Sequence, residues 1–101
     1  MTRASRVDIT EAAQRHIAAA ASWWTQNRPA APDAVFEDLN RVLGLLLVEP
    51  EMDARARSTR LPDVRRVTLS RIRYHLYYRL VDDAIQVLAF WHTSRGRGPE
   101  L

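Results

Sequence analysis

The chain contains no cysteine, no lysine and no long apolar run. Without cysteine there is no disulfide framework and no thiolate metal site. No apolar stretch approaches the roughly 20 residues that cross a bilayer, so no membrane partner is expected. The first residues, Met1-Thr2-Arg3-Ala4-Ser5-Arg6, lack the apolar core of a secretory signal, and a cytoplasmic location is the expectation. No spacing of histidines and carboxylates suggests a metal, and neither a metal nor another cofactor is expected. The lack of lysine makes all fifteen basic side chains arginine. A GC-rich genome accounts for that bias; the placement of the arginines is a separate matter.

What is present fits one domain over residues 1–101, with 47% hydrophobic residues and a modest core. A domain of this size buries only roughly 60–70% of its unfolded surface, so a bound partner matters to its stability. The formal net charge is +3. Arg55, Arg57, Arg60, Arg65, Arg66, Arg71, Arg73 and Arg79 fall within one stretch, with Arg95 and Arg97 following. Many of the acidic residues sit earlier, from Glu11 to Glu51, so the C-terminal half reads as electropositive.

Residues 72–80 carry the clearest pattern. Ile72, Tyr74, Leu76, Tyr78 and Leu80 are apolar or aromatic; Arg73, His75 and Arg79 alternate with them, with Tyr77 among the polar set. Period two over this length predicts a strand with one buried face and one wet, basic face. Residues 84–92 predict a second strand after an Asp82-Asp83 turn, and 64–69 an earlier one, with Val67 and Leu69 inward and Arg66 and Thr68 outward. Short turns make these strands antiparallel neighbours.

Upstream, Val7 and Ile9 alternate with Arg6 and Asp8 in a short first strand, and Asp8 or Thr10 can cap the helix that follows. That helix runs from Thr10 to about Asn27, with Ala13, Ile17, Ala20, Ala21 and Trp24 on one stripe. Trp23 lies about 100° round from Trp24 and is expected to be partly exposed. Asn27-Arg28-Pro29 ends it, and Pro32 opens a second helix that Pro50 stops after Val48. Phe36, Leu39, Leu43, Leu46 and Leu47 form its expected buried stripe, and Glu37 and Arg41 an outer i,i+4 pair. Val42 and Leu45 widen the apolar arc towards a second surface. Residues 51–63 read as an Arg-rich loop, or an edge segment at best. The fold class is therefore α+β: β-α-α-β-β-β, a helical hairpin packed on a small antiparallel sheet.

This order, together with Trp23-Trp24, the Asn27–Pro32 turn, the Tyr74–Arg79 strand and the Ile85–Arg97 segment, resembles the RelE/ParE toxins of type II toxin–antitoxin pairs. The resemblance spans nearly the whole chain. It implies one of two activities: RelE-like members cut mRNA on the ribosome, whereas ParE-like members poison DNA gyrase and are not known as nucleases. It also implies a cognate antitoxin whose C-terminal segment wraps the toxin. Arg66 falls where RelE-type toxins carry a basic residue, but Thr68 falls where the next would be. His75 follows Tyr74 in place of an arginine. Arg95 suits the tail arginine, and no tyrosine follows Tyr78. The incomplete set favours the ParE-like branch, with gyrase as target. The alternative is the ribosome-dependent nuclease.

Cutting RNA with its own 2′-OH needs a base, an acid and cations for the phosphorane charge. His75 or His92 can supply a proton-transfer group and Arg66 a cation, in which case these three are the catalytic candidates. If the protein acts by binding, the expected target surface is Arg65, Arg73, Tyr77, Arg79, Arg95 and Arg97, with Tyr77 on the wet face available to stack. The expected antitoxin surface includes Trp23, Val42 and Leu45.

Overall fold

The computed structural model describes residues 3–57 and 59–101. Its elements run β1 (Arg6–Ile9), α1 (Glu11–Asn27), α2 (Ala34–Val48), β2 (Arg65–Leu69), β3 (Tyr74–Val81) and β4 (Ala84–His92). This is the expected α+β order, with boundaries close to those the periodicity gives. Of the two candidate caps, Thr10 serves: its side chain accepts from the Ala13 N–H, satisfying a donor that the first helical turn leaves free.

Among the described residues the strands form one sheet in the order β1-β4-β3-β2. The β2–β3 and β3–β4 pairs are antiparallel, as the short turns require. β1 lies parallel to β4, so the sheet is mixed rather than wholly antiparallel. The helical hairpin carries the chain away from β1, and the meander brings β4 back beside it. Backbone bonds from Ser5 to Asp83 and from Thr10 to Val87 close this seam at 2.7 and 3.1 Å. The β3–β4 turn places Asp82 at φ 55°, a left-handed conformation that aspartate tolerates.

The β3–β4 register shifts between Tyr77 and Tyr78: Tyr77 faces Ala89, but Tyr78 faces Val87. Leu88 is thus an extra residue, a β-bulge that reverses which parity of β4 faces the helices. Before it, Ile85 and Val87 point into the main core; after it, Phe90 does. They meet Leu76 and Tyr78 of β3 and the helical residues Ala13, Ile17, Ala20, Val35, Leu39, Val42 and Leu46. A second, smaller cluster lies on the opposite face, where Val64, Tyr77, Leu88 and Ala89 pack with Ala56, Leu61, Trp91 and Leu101.

Several expectations are corrected here. The buried stripe of α2 is Val35, Leu39, Val42 and Leu46; Phe36 is 48% exposed and Val42 only 3%. Because α2 is apolar on most sides, two stripes satisfy its period equally, and packing against α1 and the sheet selects one. Val42 is consequently core and offers no docking surface, whereas Leu45 and Trp23 are exposed as expected. Glu37 does not pair with Arg41; Arg71 reaches across from the β2–β3 turn to Glu37 and to buried Asp38, each at 3.3 Å. The 51–63 loop does reach the sheet edge, through an Arg55–Arg65 bridge.

Leu46→Ala is expected to cost about 2–5 kcal/mol in denaturant unfolding, because it opens a cavity beneath α2. Phe36→Ala, on the outer side of the same helix, is expected to cost at most about 1 kcal/mol. Equal losses at the two positions would contradict this assignment of the buried stripe.

Candidate functional site

The expected basic face is the side of the sheet away from the helices, and its side chains follow from register. Arg66 and Thr68 of β2 stand opposite Tyr77 and His75 of β3, which in turn face Ala89 and Trp91 of β4. Thr68 Oγ1 and His75 Nδ1 are 2.8 Å apart across the strand pair. Burial pushes the His75 imidazole below its usual range, helped by nearby Arg66 and His92. It is therefore neutral at pH 7, with Nδ1 occupied by Thr68.

His92 is on the other face. It pairs in register with Tyr74 and rests edge-on against that ring at 5.0 Å. Its Nδ1 accepts the Ser94 backbone N–H at 3.1 Å and lies 2.7 Å from Ser94 Oγ, which fixes the turn after β4. The structure therefore places the two candidate histidines back to back through the sheet rather than around one reacting group.

The arginines divide by role. Arg65 is drawn under the 51–53 loop: its guanidinium donates to the carbonyls of Glu51 and Asp53 and pairs with the Glu51 carboxylate at 3.7 Å. Its side chain is only 15% exposed, so it holds the loop and does not face a target. Tyr78 helps from below, donating to Asp53 Oδ2 at 2.7 Å, and burial with this bond pushes its phenol well up. Arg79 donates to Gln86 Oε1 at 2.8 Å. Arg73 lies in the turn before β3 rather than on the strand, at φ 63°, with its side chain exposed. Arg66, Arg95 and Arg97 are exposed, as expected.

Tyr77 departs most from expectation. It is 7% exposed and belongs to the second cluster, because the segment after β4 folds back over this face. Trp91 anchors that segment: its Nε1 donates to the Arg97 carbonyl at 2.8 Å, and the Arg95 guanidinium sits 3.9 Å over its ring. The Arg60 N–H donates to the Leu101 carbonyl, tying the segment to the 51–63 loop. A ring so covered has no free face for stacking.

His16, which the sequence did not single out, closes the edge of β4 beyond the end of β1. Its Nδ1 accepts the Phe90 N–H at 3.2 Å, and its ring meets Trp91 edge-on at 5.4 Å. Burial, Arg95 and Arg15 all push its imidazole below the usual range. Nothing beyond its position beside the Ala13–Ile17 stripe marks it in the sequence. A groove of about 300 Å³ opens beside it, lined by Arg15, Trp23, Tyr74, His92 and Arg95. A second groove, about 320 Å³ and almost wholly apolar, runs between the helices past Ile9, Ile17, Phe36, Leu39 and Leu43. Phe36, Leu45, Val48 and Met52 extend the list of exposed apolar side chains on and just after α2.

Fold and surface together define a small α+β domain with an arginine-rich sheet and C-terminal segment, and a helical hairpin with apolar side chains in solvent. A family model described as "ParE toxin of type II toxin-antitoxin system, parDE" matches residues 7–96, and the chain belongs to this family of toxins. A solved structure, that of the chromosomal ParDE toxin–antitoxin system from P. aeruginosa, is similar to it at 22% identity, covering 91% of this chain and 98% of that one with a TM-score of 0.69. At that identity the likeness speaks for the fold. No curated protein matches.

The depressed imidazoles predict a pH dependence of stability. His16 and His75 bind protons more readily in the unfolded chain, at about 6.5, than in the folded one. Their contribution is fully present above pH 6.5 and is lost as the pH falls below it towards the folded values. Thermal unfolding is expected to give a melting temperature that drops from pH 7 to pH 5, and His16→Gln should flatten the drop. A profile unchanged by His16→Gln would remove His16 from this role.

Proposed function

We propose that this toxin acts by binding and inhibiting DNA gyrase, with no chemistry of its own, and is neutralised by a cognate antitoxin. The observation that carries the non-catalytic reading is the separation of His75 and His92 on opposite faces, each with Nδ1 already engaged. A proton-transfer pair acting on one phosphodiester must lie within hydrogen-bond reach of the same group. The binding surface proposed for the target comprises the exposed Arg73, Arg95 and Arg97 around the end of the sheet. A ribosome-dependent nuclease is the second reading, favoured by neutral His75 standing near Arg66 on one face.

In a gyrase supercoiling assay run beside a ribosome-dependent mRNA cleavage assay, the protein is expected to inhibit the first and leave the second unaffected. His75→Ala and His92→Ala should each retain most inhibition, while Arg73→Glu and Arg95→Glu should impair it with the fold intact by circular dichroism. If the protein is instead a nuclease, one histidine substitution should cost roughly a hundredfold or more, the usual worth of a general acid or base. Cleaved mRNA, abolished by His75→Ala, would overturn the gyrase reading.

The antitoxin is proposed to lay an acidic, partly helical C-terminal segment along the helical hairpin, with apolar side chains in the groove beside Phe36 and Leu43, and to continue onto the arginine-rich surface. Helix-in-groove binding uses anchors spaced at i, i+3/i+4 and i+7, and rim charges chiefly set the association rate. Stopped-flow association is expected to slow as salt rises. Phe36→Asp should speed dissociation about tenfold or more, about 1.4 kcal/mol. An association rate independent of salt would remove the electrostatic part of the proposal.

A further inference from the structure

A further concavity lies neither between the helices nor beside His92. It is a polar pocket of about 550 Å³ on the face away from the helices, bounded by Arg55, Arg57, Arg66, Tyr77 and Gly98. Arg66 projects from β2, Arg55 and Arg57 from the loop beside it, and Tyr77 from the neighbouring strand. Gly98 of the C-terminal segment crosses the rim beside the Tyr77 hydroxyl; a Cβ added there would stand 3.4 Å from it. The ring of Tyr77 is buried, so its hydroxyl is what it offers the pocket.

The backbone around the pocket is tied to the sheet by the chain itself. Ala56 N–H donates to the Val64 carbonyl at 2.7 Å and Arg66 N–H to the Ala54 carbonyl at 3.2 Å, stitching the loop to the edge of β2. Arg65 holds the preceding turn through Glu51 and Asp53. Arg55 is compensated by Asp63 at 3.2 Å, but Arg57 and Arg66 enter no ion pair among the described residues. Two guanidiniums without an ion pair among the described residues, and a phenol, thus border one space on a backbone that the loop-to-β2 hydrogen bonds tie to the sheet edge.

We infer that this pocket binds a phosphate monoester. Planar guanidinium forks and a hydroxyl suit tetrahedral oxyanions, and two unpaired positive charges match a dianion better than a singly charged diester or carboxylate. The volume exceeds what a bare phosphate fills and leaves room for the group it esterifies. Among the described residues the pocket is bordered by no histidine and no carboxylate, and what its guanidiniums and phenol supply is binding of the phosphoryl group. This inference rests on neither the gyrase nor the nuclease reading.

Isothermal titration of the purified 101-residue chain with inorganic phosphate and with adenosine 5′-monophosphate, ionic strength held constant with chloride, tests it. Saturable one-to-one binding is expected, weakened at least tenfold by Arg57→Ala and by Arg66→Ala and unchanged by Arg41→Ala on the outer face of α2. Tyr77→Phe, which keeps the buried ring, should weaken it severalfold without lowering the melting temperature. An oligothymidylate with no terminal phosphate should bind at least tenfold more weakly than the monophosphate. No saturable binding, or binding that survives both arginine substitutions, would overturn the site. Equal affinity for the oligonucleotide would overturn its assignment to monoesters.

Discussion

β4 forms two different interfaces along its length, and the extra residue at Leu88 is what permits it. A regular strand presents one parity to the helices throughout. With the bulge, Ile85, Val87 and Phe90 all reach the main core although their numbers change parity, while Leu88, Ala89 and Trp91 turn to the other side. The opposite face thereby acquires enough apolar surface for a small core of its own. Trp91 then draws the C-terminal segment across it, and Tyr77 is buried in consequence. The same reversal leaves His92 facing Tyr74 while His75 faces Trp91.

An all-arginine basic set has consequences for how the loops are held. Arg65 reaches two carbonyls and a carboxylate from one position, and Arg71 reaches two carboxylates on α2. The exposed pairs contribute little to stability, since solvent screens them. The partly buried bonds of Arg65 matter more, because they satisfy loop carbonyls that have no strand partner. Part of the charge that reads as a binding surface is therefore internal scaffolding. The remainder is concentrated at Arg57 and Arg66 on one side and around Arg73, Arg95 and Arg97 at the end of the sheet.

The hairpin and the sheet offer partners contrasting chemistry. The helices expose Trp23, Phe36, Leu45 and Val48, which a chain this small leaves in water at some cost. The far side of the sheet carries guanidiniums around a pocket and along a folded-back segment. A partner that is apolar on one stretch and acidic on another can satisfy both, whereas one lacking either leaves apolar surface or charge uncovered.

The elements are legible in the chain alone, because each is set by local physics: period two in residues 74–80, period 3.6 in the helices, Asp8 or Thr10 as a cap, Pro29 and Pro50 as stops, Asp82-Asp83 as a turn. It also determined the even face of β3 as core and the half-exposure of Trp23. Packing in three dimensions settled what local pattern leaves degenerate. It chose between two apolar stripes on α2, burying Val42 and exposing Phe36. It paired β1 with β4, a contact between distant residues that periodicity does not encode. It placed a bulge where Leu88-Ala89-Phe90 is apolar on both sides and alternation gives no signal. Finally, it turned Tyr77 and Arg65 from expected surface residues into buried ones, because a residue's face follows from its strand but its exposure depends on what later folds over that face.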